Sequence, residues 1–302
     1  MRPLRISAIS YLNTAPLMWD FEHDPHPFAK NAKEPALSLP KGWAAPLKEL
    51  GAQFEISYTL PSGCARALAE GKADIGIIPA AAYAEIPGLQ VIPDVAIASR
   101  QAVRSILLVS KVPLGKIRTV ALDTSSMTSV ALLKVLFEKW LGGAREYKSM
   151  DPNLETMLSD CDAGLLIGDP ALRADRSRYH TLDLAEEWIR RTGKPFVFAF
   201  WAVRGEALRE ADPALDLSAI FRESRDHGLQ PESLDQIARE WAPRLGLTEA
   251  EVRDYLTKNI HYQLDDACIE GLNLFYKYAA EIGALPAAPG LRFVEYAKAP
   301  VR

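Results

Sequence analysis

The chain has 302 residues and a formal net charge of −4, with 48% hydrophobic and 25% charged residues. This composition supports one large domain or two ordinary ones with a sizeable core, and it excludes a disordered chain. The slightly acidic balance excludes a global attraction to nucleic acid or to an anionic membrane. The sequence has no long apolar run, so we expect no membrane insertion either.

Cysteine usage and the first residues predict a cytoplasmic compartment. Three cysteines, at positions 64, 161 and 268, lie far apart without metal-ligand spacing, and their odd number disfavours a complete disulfide framework. Residues 6–10 already form a strand pattern, so we find neither the apolar segment nor the cleavage site of a secretory signal.

Short apolar runs alternate with helical patterns through the first two thirds of the chain. The predicted strands are 5–9, 53–58, 75–78, 91–97, 105–109, 119–122, 164–167 and 196–203. Between them, a helix over 62–71 with Ser62 as its N-cap and an amphipathic helix over 130–140 are predicted. Alternation of this kind is typical of an α/β fold with largely parallel sheets.

Two long extended segments, 91–105 and 196–204, enclose a block with its own strand and helix alternation. Extended crossovers around an inserted block predict two hinged lobes, and the cleft between such lobes is a natural small-molecule site because closure excludes water. The predicted parts are a discontinuous first lobe of 1–98 and 203–302, a second lobe of 105–195, and crossovers at about 99–104 and 196–202.

The remaining segments are the C-terminal third and one proline-rich stretch. The last hundred residues carry helical apolar stripes, which we expect to pack on a lobe that is already formed. The stretch 23–46 is weakly periodic, so we expect a surface loop or an insertion there.

Familiar catalytic motifs are absent from the sequence. It contains no GxGxxG, GxxxxGK[ST], HExxH or GxSxG, and its five histidines share no ligand-like spacing. We therefore expect no metal site and no nucleotide-phosphate loop. The candidate groups are polar residues where strands lead into helices.

The first such junction is 10–16, directly after the first predicted strand. Asn13 offers an amide donor and acceptor, Thr14 suits an N-cap, and Tyr11 suits a ring-shaped ligand. The alternative interpretation is a plain capping turn.

The second junction, 123–129, carries five hydroxyl side chains before the amphipathic helix. Capping needs one hydroxyl, and the free N–H groups of a helix start favour anions, so we predict a carboxylate or phosphate site. The third junction, 61–65, follows the same logic. Cys64 in its first turn is either an activated nucleophile or a small buried residue.

The fourth junction is 168–173, where Asp169 either caps a helix that has Pro170 in its first turn or faces the cleft. Ser105, at the end of one crossover, and Trp201, in the other, either face the cleft or belong to the core.

Together these stretches resemble the chorismate dehydratase family, which opens the futalosine route to menaquinone. The stretches that carry the resemblance, in order, are 9–17, 73–79, 104–110, 124–129, 166–173 and 194–202. They cover about residues 4–204, with a weaker helical tail to about 283, and the segment 23–46 is longer than the family pattern.

The resemblance implies a two-lobed fold like that of type II periplasmic binding proteins, used as a cytosolic enzyme. It implies loss of water from chorismate, giving 3-[(1-carboxyvinyl)oxy]benzoate, without metal or organic cofactor. Asn13 and Ser105 would be catalytic, with Asp169 as a candidate base. The expected substrate-binding residues are Ser10, Tyr11, Thr14, Ser62, Thr124, Ser125, Ser126, Thr128 and Trp201.

No motif supplies a strong base, so we hypothesise that the substrate's own side-chain carboxylate takes the proton, and Asp169 is the protein-based alternative. Three rival interpretations stay open. These are a non-catalytic solute-binding protein, a cytosolic ligand sensor, and the sister enzyme of the same pathway that acts on cyclic dehypoxanthinyl futalosine.

Overall fold

The computed structural model describes residues 2–23, 53–212 and 215–295. Within these residues the strands form two five-stranded sheets. The first sheet contains, in spatial order, β2 (Phe54–Thr59), β1 (Leu4–Ile9), β3 (Ile75–Pro79), β10 (Phe196–Arg204) and β4 (Leu89–Ser99). The second contains β7 (Glu146–Met150), β6 (Thr119–Asp123), β8 (Ala163–Ile167), β5 (Ile106–Ser110) and β9 (His180–Asp183).

Helices cover the sheets and form most of the C-terminal third. The α-helices are α1 (Trp19–Glu22), α2 (Pro61–Ala69), α3 (Ala80–Tyr83), α4 (Thr128–Trp140), α5 (Leu154–Asp160), α6 (Gly168–Arg173), α7 (Leu184–Thr192), α8 (Gly205–Glu210), α9 (Leu217–Gly228), α10 (Pro231–Leu245), α11 (Glu249–Asp254) and α12 (Asp266–Glu281). Shorter helical turns are the 3₁₀ helices Leu12–Met18 and Leu114–Lys116 and the π-helical turn Tyr255–Asn259. None of these described helices is long and apolar enough to cross a membrane.

Both sheets are mixed, so the prediction of largely parallel sheets is wrong. In the first sheet β1 pairs in parallel with β2 and β3, and β10 is antiparallel to β3 and β4. In the second, β6 pairs in parallel with β7 and β8, and β5 is antiparallel to β8 and β9. The reason is that the chain crosses between the sheets at one edge of each sheet. Strands β5 and β10 begin at this edge and run away from it, whereas β1, β3, β6 and β8 end at it.

Apolar patterning explains which elements the sequence reveals. Strands β3, β5 and β8 are buried along their whole length, and in the predicted amphipathic helix, α4, the apolar residues Leu132, Leu136 and Phe137 are buried as expected. The edge strands β7 and β9 are largely exposed and polar, so they carry no apolar alternation, and sequence analysis missed both.

Two short connections join the sheets. The outward connection is 100–105, between β4 and β5, and the return connection is 193–195, before β10. Residues 196–202, which were expected to form the second crossover, instead lie inside β10, because that apolar run pairs with two strands of the first sheet. We therefore propose that the two lobes meet at the connections 100–105 and 193–195, with one sheet in each lobe.

The C-terminal helices pack on strands of the first sheet and on other helices. Helix α9 packs on β4 and on the 3₁₀ helix Leu12–Met18, whereas α12 packs on β10 and on α4. Backbone hydrogen bonds between Ala98 and His261, of 2.8 and 2.9 Å, attach this segment to the end of β4. Apart from His23, the predicted loop 23–46 lies outside the described residues.

Candidate functional site

An inner cavity, with about 440 Å³ of empty space that is partly open to solvent, lies at the edge where strands of the two sheets meet. The cavity is lined by Ile9, Tyr11, Asn13, Pro61, Pro79, Ile97, Ile106, Ser126, Met127, Thr128, Ser129, Ile167, Gly168, Phe198 and Ala199. Most of these side chains are apolar, so the walls suit contact with a flat ring.

Asn13 and Tyr11 form one polar side of the inner cavity. Asn13 is half-buried on the 3₁₀ helix after β1, and its Oδ1 accepts a hydrogen bond from the Thr14 hydroxyl at 3.4 Å. Tyr11 is buried, and burial raises the pKa of its hydroxyl, which lies 3.5 Å from Ser125 Oγ. The Tyr11 ring covers Gly168, where φ is +57° and a Cβ would lie 2.5 Å from the ring, so only glycine fits.

The start of helix α4 forms the opposite polar side of the inner cavity. Ser126 and Ser129 line the cavity, and their hydroxyls form no hydrogen bond with another side chain or backbone group in the described ranges. The first N–H groups of a helix have no intrahelical partner, and the helix dipole adds partial positive charge there. This wall therefore suits a carboxylate, as the junction 123–129 predicted.

The other three predicted hydroxyls of this junction have different surroundings. The Thr128 hydroxyl accepts the Ala81 N–H at 3.0 Å and donates to the Phe198 carbonyl at 3.1 Å, so it joins α4 to α3 and to β10. Ser125 donates to the buried Asp123 carboxylate at 2.6 Å. Thr124 is exposed and lines neither this cavity nor the one described next.

An outer cavity, with about 1,020 Å³ of empty space that is partly open to solvent, adjoins the inner one, and Ile9 and Tyr11 belong to the walls of both. Besides Tyr11, it contains three predicted site residues, Ser10, Thr14 and Asp169. Its remaining lining residues are Ala15, Met18, Glu22, Tyr58, Arg173, Glu240, Trp241, Arg244 and Leu245. The predicted polar residues are thus divided between two cavities by the Tyr11 side chain.

Asp169 lies in the outer cavity and is absent from the wall of the inner one. Its Oδ1 accepts the Leu12 N–H at 3.0 Å. This contact joins α6, which follows β8 of the second sheet, to the 3₁₀ helix that follows β1 of the first sheet. Burial raises its pKa to about 6, although the Leu12 hydrogen bond and the charge of Arg173 oppose the shift.

Two predicted N-caps are placed differently by the structure. Asp169 is the second residue of α6, which Ile167 precedes, so the predicted N-cap role of Asp169 is wrong. Thr14 lies inside the 3₁₀ helix that Tyr11 precedes, so its predicted N-cap role is wrong as well. In both cases the helix begins earlier than the polar residue that the sequence offered as a cap.

Ser105 is almost fully buried, directly before the cavity residue Ile106. Its hydroxyl accepts a hydrogen bond from the Tyr255 hydroxyl at 2.8 Å, and its carbonyl accepts the Gly168 N–H at 2.8 Å. Ser105 therefore lies immediately behind the cavity wall, attached to a C-terminal residue that sequence analysis did not consider.

Two further predicted residues line neither cavity. Ser62 is the second residue of α2 and not its N-cap, because Leu60 precedes the helix, but the Ser62 N–H donates to the Ser125 carbonyl at 3.2 Å. Trp201 is fully buried in β10 and packs on Phe221 with ring centroids 4.6 Å apart. Of the two locations left open for Trp201, the core is the one observed.

Cys64 has the surroundings of a buried structural residue. It is fully buried, receives a hydrogen bond from the Ser7 hydroxyl at 3.3 Å, and burial raises its pKa to about 11. A thiolate nucleophile is therefore disfavoured. Its packing beneath β1 accounts for its place in the first turn of α2.

In the part of the chain that the structure describes, His261, Asp265 and Cys268 form a group with metal-ligand side chains. The Asp265 carboxylate already accepts the Cys268 N–H at 3.0 Å and contacts His261 Nε2 at 2.7 Å and Arg100. The guanidinium of Arg100 supplies the positive charge that a cation would otherwise bring. We assign this group to the N-cap of α12.

The most informative residues that sequence analysis missed are Tyr255 and Asp123. Tyr255 lies about 150 positions from Ser105 in the chain, and no motif marks it. Asp123 begins the second predicted junction, but the sequence indicated no role for it. Its carboxylate accepts the N–H and hydroxyl of Ser125 and also the Ile167 N–H at 3.4 Å. A charged residue at the end of an apolar strand was the available signal for Asp123.

The two mixed sheets and the cavity between them define a two-lobed protein with a periplasmic-binding-protein-like fold. A protein from Archaeoglobus fulgidus matches with a TM-score of 0.67 at 16% identity, covering 94% of this chain and 99% of that one. The periplasmic aliphatic sulphonate binding protein SsuA from Escherichia coli matches with a TM-score of 0.62 at 15% identity, covering 100% and 96%. Similarity at this level concerns the fold alone.

The chain belongs to the menaquinone biosynthesis family, whose model matches residues 4–281. It is 34% identical over 254 residues to a protein of Thermus thermophilus named chorismate dehydratase, covering 78% of this chain and 89% of that protein. These matches confirm the family resemblance and the fold class that the sequence predicted.

Proposed function

We propose that this protein is a chorismate dehydratase, a carbon–oxygen lyase that converts chorismate to 3-[(1-carboxyvinyl)oxy]benzoate without a cofactor. In this proposal it acts in the cytoplasm at the first step of futalosine-dependent menaquinone synthesis. The observation that carries the proposal is the 34% identity to the Thermus thermophilus chorismate dehydratase over 78% of the chain.

The inner cavity supports this substrate by its distribution of polar and apolar walls. Chorismate has a cyclohexadiene ring and two carboxylates. One carboxylate would bind at the start of α4, against Ser126 and Ser129, where helix N–H groups favour an anion. The ring would pack against apolar side chains such as Ile97, Ile167 and Phe198.

The reaction breaks the C3–H bond and the C4–O bond of the ring, and the proton and hydroxide leave as water. The ring becomes aromatic, which drives the elimination and reduces the demand on the catalyst. Asp169 stands outside the inner cavity, so the proton acceptor in our proposal is the substrate's own side-chain carboxylate. Asn13 lines the cavity and would hold this carboxylate and the leaving hydroxyl in a geometry suited to elimination, and Ser105 would support that geometry from directly behind the wall.

The direct test is incubation of the purified protein with chorismate, followed by absorbance and mass analysis. We expect an aromatic product lighter than chorismate by one water. The Asn13→Ala variant should lose most of this turnover, and the paired Ser126→Ala and Ser129→Ala changes should mainly raise KM. Binding of chorismate without conversion would refute the enzyme proposal and favour a solute-binding protein.

A further inference from the structure

The segment that follows α11 reaches the connection between the two sheets. The π-helical turn Tyr255–Asn259 begins there, and π-helical turns often occur at functional positions. Asn259 Nδ2 donates to the Ala102 carbonyl at 2.8 Å, and the Gln101 side chain donates to the Lys258 carbonyl. This turn therefore holds the outward connection in place over several residues.

Tyr255, the first residue of the turn, points its hydroxyl at Ser105. Tyr255 is 1% exposed, and its hydroxyl lies 2.8 Å from Ser105 Oγ. Burial raises the pKa of Tyr255, while hydrogen bonds with Ser105 and Asn13 act in the opposite direction. The phenol therefore stays protonated and donates, and it lies next to both polar residues that the resemblance marks as catalytic.

The backbone around Ser105 is fixed from the second sheet as well. The Asp183 carboxylate accepts the N–H groups of Val103 and Arg104 at 3.2 and 2.7 Å. Arg104 has a φ of +64°, an uncommon conformation for a residue other than glycine, and such residues concentrate at functional sites. The position of the Ser105 main chain is thus set by Asp183, and the direction of its side chain is set by Tyr255.

We propose that Tyr255 is a positioning residue, whose buried hydroxyl orients the Ser105 side chain behind the wall of the inner cavity for the elimination step. The tyrosine proton occupies an acceptor position of Ser105 Oγ. The Ser105 hydroxyl makes no donated hydrogen bond within the described ranges, so its own proton remains available towards the cavity wall. This inference rests on the proposed dehydratase function.

The test is the Tyr255→Phe variant, which keeps the ring and removes only the hydroxyl. A donor that acts directly on a developing charge contributes about 10²–10³ in kcat. Tyr255 acts through Ser105, so we expect kcat to fall about 10- to 100-fold with KM changed less than about threefold. A double-mutant cycle isolates the path: in a Ser105→Ala background, Tyr255→Phe should lower kcat less than about threefold further.

Two matched variants separate positioning from general stability. Tyr83 is a buried tyrosine whose hydroxyl donates to the Gly290 carbonyl at 3.2 Å and accepts the Arg292 N–H at 2.9 Å, away from the cavity. Tyr83→Phe should lower the urea midpoint of unfolding and leave kcat unchanged. The Tyr262 hydroxyl is buried without a partner among the described residues, so Tyr262→Phe should leave kcat unchanged and should not lower the urea midpoint.

The outcomes distinguish the two proposals. Wild-type protein that does not convert chorismate refutes the proposed function, and this inference with it. Active wild-type protein with an unchanged kcat in Tyr255→Phe overturns the positioning role alone. Equal losses of kcat from Tyr255→Phe with and without Ser105 also overturn it, because Tyr255 would then act independently of Ser105.

Discussion

Asp169→Asn tests which group accepts the proton from chorismate. The change removes the charge but keeps an Oδ1 that can accept the Leu12 N–H, now bonded at 3.0 Å. A general base contributes about 10²–10⁴ to the rate. Asp169 lies in the outer cavity and not in the inner one, so we expect kcat of the variant within about threefold of the wild type.

The pKa of Asp169 gives this prediction a second readout. Burial raises that pKa from 3.8 to about 6, so the folded protein favours the neutral carboxyl. The stability that this group contributes is complete below pH 4 and is lost as the pH rises through about 6, by up to about 3 kcal/mol. Asp169→Asn should lack this loss, so it should be at least as stable as the wild type at pH 7.5.

The assay measures kcat from pH 5 to pH 8 for the wild type, Asp169→Asn and Asp169→Ala, with urea unfolding at each pH. Asp169→Ala loses the Leu12 hydrogen bond as well and serves as the control for that contact. A fall in kcat of about 10³ or more in Asp169→Asn, with loss of the pH dependence near 6, would show that Asp169 is the base. The substrate-assisted proposal would then be wrong.

Other changes test the structure around the site. Thr128→Val leaves the buried Ala81 N–H and Phe198 carbonyl without their partner and should lower the free energy of unfolding by about 2–4 kcal/mol. Thr128→Ser should cost about 1 kcal/mol, and equal losses in the two variants would contradict this. The three free cysteines are buried, and Cys64 has a pKa of about 11, so native protein at pH 8 should react with a thiol reagent far more slowly than after unfolding in urea. Rapid labelling of native Cys64 would refute its structural role. Although burial alone would raise the pKa of Asp74, hydrogen bonds from Arg2 and Arg5 lower it. The stability from Asp74 is therefore present above about pH 4 and lost as the pH falls, and Asp74→Asn should flatten the acid limb of the unfolding curve; an unchanged limb would contradict this.

The sequence predicted the elements whose burial leaves a strong pattern. The apolar runs of β3, β5 and β8 and the stripe of α4 are visible because each is enclosed by other elements. Polar edge strands such as β7 and β9 leave no such pattern, since half or more of each strand faces solvent.

Residue type and local position also pointed to the junction 123–129 and to Asn13, which line the same cavity. Only the tertiary structure decided which hydroxyls stay available to a ligand. Thr128 is engaged by Ala81 and Phe198, which come from distant parts of the chain, whereas Ser125 is engaged by Asp123, two residues away.

Ser105 and Tyr255 mark the same division between local and distant information. Sequence placed Ser105 at the end of a crossover, but its partner Tyr255 lies 150 residues away on a helical turn with no motif. Hydrophobic periodicity records whether a side chain is buried, and capping patterns record neighbours within one turn. A hydrogen bond between distant residues depends on how whole elements pack, and that information is present only in the folded chain.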